Sequence, residues 1–76
     1  LADPLGDLRE HISRLWNLPL GQRVRLDLRE CEMPWLEGRL DLARAPDLPL
    51  NPRHTLALRI GAFEFSHRQI VAWALV

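Results

Sequence analysis

Apolar residues recur at helical spacing near the start of the chain. Leu5, Leu8, Ile12, Leu15 and Trp16 fall on one face of a helix, with Arg9, Glu10, Ser13 and Arg14 opposite. Two start signals compete. Asp3 with Pro4 is a cap followed by proline at the first helical position, and Asp7 with Glu10 has the spacing of a capping box. Gly6, poor inside a helix, favours the later start. Pro19 stops the helix near Asn17 or Leu18. The period then shortens to that of a strand. Over residues 23–30, Val24, Leu26 and Leu28 alternate with Arg23, Arg25, Asp27 and Arg29, as in a half-buried antiparallel strand. A turn at 31–34 leads to a second strand over 35–43, with Leu36, Leu40 and Leu42 inward and Glu37, Arg39 and Asp41 outward. Gly38 falls on the inward face, where glycine marks the sharp bend or close backbone approach that a small barrel requires.

Residues 45–54 carry Pro46, Pro49 and Pro52 and read as a loop. Residues 55–60 and 63–66 then form a hairpin, because Gly61-Ala62 suits a two-residue type II′ turn. That register sets Arg59 opposite Glu64, Leu58 opposite Phe65 and Ile60 opposite Phe63, three favourable pairs. Residues 70–76 are wholly apolar and rich in β-branched and aromatic side chains, which predicts a strand buried on both faces. The rival reading is a helix opening at His67, capped by Ser66 and Gln69. The strand is preferred. The predicted core joins Val24, Leu26, Leu28, Leu36, Leu40, Leu56, Leu58, Phe63, Phe65 and Ile70 to Leu8, Ile12 and Leu15 of the helix.

Size narrows these elements to a single domain over residues 1–76. A chain this short buries only about 60% of the surface its unfolded form exposes. The one cysteine, Cys31, permits no internal disulfide and suits a reducing, cytoplasmic setting. His11, His54 and His67 share no ligand spacing, so neither metal nor cofactor is expected. Self-association is the remaining source of burial. Ten basic residues, all arginine, balance ten acidic ones, unlike the strongly basic balance of many nucleic-acid binders. The lack of lysine excludes a phosphate-loop lysine and Schiff-base chemistry. No apolar run approaches the ~20 residues that span a bilayer, so no membrane partner is expected. No signal peptide is visible, although a chain beginning at Leu1 rather than Met leaves the native start open.

One helix followed by five short strands, with a glycine bend in the second, resembles the Sm-like barrel family. VRLDLRE at 24–30 and EGRL at 37–40 are similar to the family's first strand and its glycine-x-leucine second strand. FSHRQI at 65–70 resembles the second Sm motif, where a short turn leads into the closing strand. His67 is similar to the turn histidine of the family's bacterial RNA chaperones. Asp47 and Asn51 resemble the loop acid and asparagine that line the family's RNA-base pocket. The resemblance implies a mainly β fold with one N-terminal helix and a small five-stranded antiparallel barrel. It further implies an oligomeric ring joined through edge strands, with RNA bound at Asp47, Asn51 and His67. A Src-homology-type barrel satisfies the same strand pattern, and fold alone does not transfer function.

Taken by themselves, His54 and His67 read as solvated or partly packed loop histidines, and Asp47 and Asn51 as turn formers. The PxxP spacings of the loop read as a rigid connection. Trp16 and Trp73 are expected in the core. Trp35 shares the alternation of Glu37 and Arg39 and is the aromatic expected at the surface, hence a contact residue. The outward strand faces carry Arg23, Arg25, Arg29, Arg39 and Arg59 against Asp27, Glu37, Asp41 and Glu64, a mixed lattice rather than a phosphate track. Ser66 and His67 are only sequence neighbours, no acid–base–nucleophile set can be named, and the chain is expected not to be an enzyme. Residues 70–76 lack charge, proline and glycine, so a second copy is expected to cover them. The predicted interface is Trp35, Ile70, Val71, Ala72 and Trp73. The expected function is a non-catalytic, self-associating assembly or protein-interaction module. The alternative is an Sm-like protein that binds single-stranded RNA as a ring, and no small-molecule substrate is identified.

Overall fold

The computed structural model describes residues 4–76. Helix α1 spans Pro4–Trp16. It starts before Asp7, so the Asp7–Glu10 pair does not open it; Asp7 instead sits in the first turn, where a carboxylate complements the helix dipole. Asp3, half of the earlier start signal, lies outside the described residues, as does the side chain of Leu5. The helix ends as predicted, just ahead of Pro19. Asn17 takes φ 55°, and the Leu18 N–H donates to the Ser13 carbonyl at 3.0 Å, the Schellman closure of a helix end.

Five antiparallel strands follow: β1 (Arg23–Leu28), β2 (Trp35–Leu42), β3 (Ala57–Ile60), β4 (Phe63–Ser66) and β5 (Ile70–Leu75). A 3-10 turn, His67–Gln69, joins β4 to β5. Both readings of this region hold in part. Ser66 and Gln69 do form a capping box, but it opens a single turn and the chain then becomes a strand. The sheet order is β4-β3-β2-β1-β5. β4 and β5 stand at its two ends without pairing, so hydrogen bonding does not close it.

β2 serves two neighbours in turn. Trp35 to Arg39 pair with β1, and Leu40 to Leu42 pair with β3. The changeover falls between Arg39 and Leu40, just after Gly38, where φ is +157° and a Cβ would lie 2.6 Å from Ile60 Cγ2. At the predicted bend the Ile60 side chain fills the space that a side chain on residue 38 would need. In the hairpin, Ile60 faces Phe63, Arg59 faces Glu64 and Leu58 faces Phe65, as predicted. Gly61 takes φ +61° at the first central turn position.

Ile12, Val24, Leu26, Leu40, Leu56 and Leu58 are fully buried, with Leu18, Leu28, Ile60 and Phe65 nearly so. Leu8, Trp16, Leu36, Phe63 and Ile70 pack against them half-buried. Two expectations fail. Leu15 is 42% exposed, and β5 is buried on neither face beyond Ile70. Val71, Trp73 and Leu75 are 64%, 38% and 58% exposed, so Trp73 is not a core residue. The reason is position. Leu26 pairs with Trp73 and Val24 with Leu75, so these side chains lie on the inner face, but at the sheet's end and with no facing layer. The polar contacts that hold α1 run to the other half of the fold. Arg9 Nε lies 3.3 Å from Asp41 Oδ1, and Trp16 Nε1 donates to the His54 carbonyl at 3.2 Å. No helix among the described residues is long and apolar enough to cross a membrane.

Candidate functional site

The proline-rich loop between β2 and β3 folds back against the end of α1. Asn51 Oδ1 accepts the Arg53 N–H at 2.9 Å, and the His54 N–H donates to the Asn51 carbonyl at 2.9 Å, which makes a tight polar turn. A groove of about 430 Å³ opens there, lined by Trp16, Pro46, Asp47, Asn51, Arg53, His54 and Thr55. Asp47 and Asn51, four positions apart in the loop, thus line one site. Asp47 also borders a second groove of about 510 Å³ that runs to Glu64, Phe65 and Ser66 on β4. Arg44 and Arg53 against Asp47 and Glu64 leave these grooves mixed in charge rather than basic.

His67 is placed differently from the other two predicted residues. It does not line the groove; it stands behind Trp16, with ring centroids 6.3 Å apart and edge to face. Its Nδ1 accepts the Leu56 N–H at 2.8 Å. Burial, together with the Arg68 charge, pushes the imidazole below its usual range, and an accepting Nδ1 requires the neutral ring. His67 therefore ties the start of β3 to the 3-10 turn. Arg68 is spent in the same way. Its Nε donates to Thr55 Oγ1 at 2.8 Å and its Nη2 to the Arg53 carbonyl at 2.6 Å, pinning the wall of the groove. Arg29 in turn donates from Nε and Nη2 to the Arg68 carbonyl, and Gln69 Nε2 donates to the Glu30 carbonyl.

The five predicted interface residues do not share one face. Ala72 pairs with Asp27, and Asp27 with Trp35, so these lie on the outer face; Ile70 and Trp73 lie on the inner one. Val71 is the extra residue at a bulge, since the β1 partner shifts from Ala72 to Ile70 between Asp27 and Leu28. Trp35 is 47% exposed, as predicted, and carries the Arg25 guanidinium 4.7 Å from its ring centroid. What joins the β5 residues is the free edge of the strand.

That edge can be resolved residue by residue. The Leu40 N–H donates to Gln22 and the Leu28 N–H to Pro34, so even-numbered β1 residues bond to β2 and odd ones to β5. The Val76 N–H donates to the Arg23 carbonyl at 3.1 Å, in step with this alternation. Ala72 and Ala74 consequently point their backbone groups at β1, and Trp73 and Leu75 point theirs away from the sheet. The groove residues missed by the sequence reading are Trp16, assigned to the core, and Arg53. The Asn51-x-Arg53 turn was a local signal for the second; nothing local signals the first, because it needs α1 packed against a loop 38 positions away. No protein-family model, curated protein or solved structure matches this chain.

Proposed function

We propose that this chain is a non-catalytic assembly module that associates with copies of itself through β5, built on a rolled sheet of the Sm-like kind. The observation that carries this reading is the terminal strand. Six residues, Ile70–Leu75, hold no charge, proline or glycine, and their second edge has no partner among the described residues. Such an edge is a template for another strand, and proteins that leave one open guard it with charge or proline. A second copy covers it and buries the exposed side chains of Trp73 and Leu75. The strand order β5-β1-β2-β3-β4 and the close approach at Gly38 support the Sm-like architecture. Sedimentation equilibrium tests the reading: an oligomer is expected at tens of micromolar, and a soluble monomer there overturns it.

A second reading is RNA binding, favoured by the meeting of Asp47 and Asn51 in one groove beside Trp16 and Arg53. Single-stranded bases stack on aromatic rings and offer their edges to such polar groups. In this reading Asn51→Ala, which also frees the exposed Arg53 N–H, weakens oligonucleotide binding with the sheet intact. His67→Ala is the wrong probe, since it removes the acceptor of the Leu56 N–H. Fluorescence anisotropy with a labelled single-stranded RNA across a salt series decides. Sub-micromolar binding that falls with salt favours this reading over the first.

A further inference from the structure

We infer that the self-contact is a symmetric pair, β5 against β5 of a second copy, with its two-fold axis at Ala74, rather than β5 against β4 of the next subunit. The inference rests on the self-association proposed above and names its geometry.

The two free edges are not equivalent. In β4, Phe63 and Phe65 bond across to Ile60 and Leu58 at the closed end of the hairpin, so Glu64 and Ser66 face outward. The Ser66 N–H is already taken by Gln69 Oε1 at 2.8 Å, as half of the capping box. Glu64 adds a charge to a strand of four residues. β4 therefore offers one free outward N–H, that of Glu64, against two on β5, those of Trp73 and Leu75. β5 offers both backbone groups of Trp73 and both of Leu75, beyond the bulge that disturbs Val71.

Antiparallel self-pairing uses those four groups without remainder. Trp73 of one copy exchanges two hydrogen bonds with Leu75 of the other, and Leu75 with Trp73. On the inner face, each exposed indole then lies across from an exposed leucine, an aromatic–aliphatic pair of the favourable kind. Ala74 meets its own copy at the axis as a non-hydrogen-bonded pair, about 4.5 Å between Cα atoms, where a small side chain is needed. No charged residue of β5 is brought against its like, because the strand has none. A two-fold contact of this type closes on itself and stops at two chains.

The test places one thiol per chain. Cys31→Ser removes the native cysteine, and Ala74→Cys puts a sulfhydryl at the axis, within disulfide reach of its copy. Under oxidised glutathione, near-complete conversion to a covalent dimer is expected, from a protein that sediments as a dimer before oxidation. Leu75→Pro on the natural sequence is the second arm. It deletes an edge-facing N–H but no bond to β1, so it should give a monomer with unchanged far-ultraviolet circular dichroism. A larger oligomer, or a dimer in which Ala74→Cys does not cross-link and Leu75→Pro does not dissociate, overturns the symmetric pairing and leaves self-association standing. Cross-linking between Glu64→Cys chains and Ala74→Cys chains identifies the ring-type contact instead. A monomer of the unaltered chain overturns both proposals together.

Discussion

Single side chains divide into those that fill the core and those that hold segments together. Leu26 and Leu58 are fully buried, and truncating either to alanine should cost about 2–5 kcal/mol, enough to unfold a marginal domain. Urea titration reads the loss directly; an unchanged midpoint for Leu58→Ala would count against this core. At Gly38 an alanine meets Ile60 and an unfavourable φ together, and a loss of about 1–3 kcal/mol is expected. His67 adds a pH dependence. Burial and the Arg68 charge hold its folded-state pKa below the ordinary histidine value of 6.5, so its contribution is complete above that value. It is lost as pH falls through the lowered folded value. His67→Asn keeps an acceptor that does not titrate. The urea midpoint should therefore fall more between about pH 8 and about pH 5 in the natural chain than in this variant. These inward residues were legible from alternation alone. The bond from Leu56 to His67 was not, since it spans 11 positions and depends on how β3 and the 3-10 turn are brought together.

Elements were readable where their pattern had two phases and unreadable where it had one. β1, β2 and the β3–β4 hairpin alternate polar and apolar side chains, and the alternation fixed both the strand and the buried face. β5 has no polar phase, so its pattern named the strand but not its exposure, which the missing layer over Trp73 and Leu75 decides. Parity of backbone direction gives the matching experiment. Ala72→Pro removes a donor to β1, and the strand should detach with loss of the folded state in thermal melts, unlike Leu75→Pro. Gln69→Ala frees the Ser66 N–H and drops the tie to Glu30. A loss of about 1 kcal/mol, comparable to losing a cap, is expected in the same titration.

At the scale of the whole molecule, the chain reads as one helix and one sheet whose ends differ in what they can bond. The Asp47–Asn51 groove came into view through resemblance to a family, because residues in a proline-rich loop carry no periodicity to place them. Trp16, arriving from α1, lines one side of it and bonds to the His54 carbonyl. Trp16→Phe retains the ring and removes the indole donor to His54. Intrinsic fluorescence and backbone hydrogen exchange over 51–55 should show the loop loosened while the sheet stays protected.

The short link between β4 and β5 has a further mechanical meaning. These strands occupy opposite ends of the sheet order, four neighbour steps apart, which in a flat sheet is about 19 Å. The three residues His67–Gln69 in a 3-10 turn advance only about 6 Å. A flat arrangement is therefore out of reach of the covalent chain, and the sheet is held curled by a tether rather than by a seam of hydrogen bonds. Curvature set in this way is adjustable by length. A Gly-Ser spacer of several residues inserted after Arg68 should let the two ends drift apart. Circular dichroism would keep its strand signal while the tryptophan fluorescence shifts to the red. A natural chain that varied only this link would tune how tightly its core is wrapped without changing a single core residue.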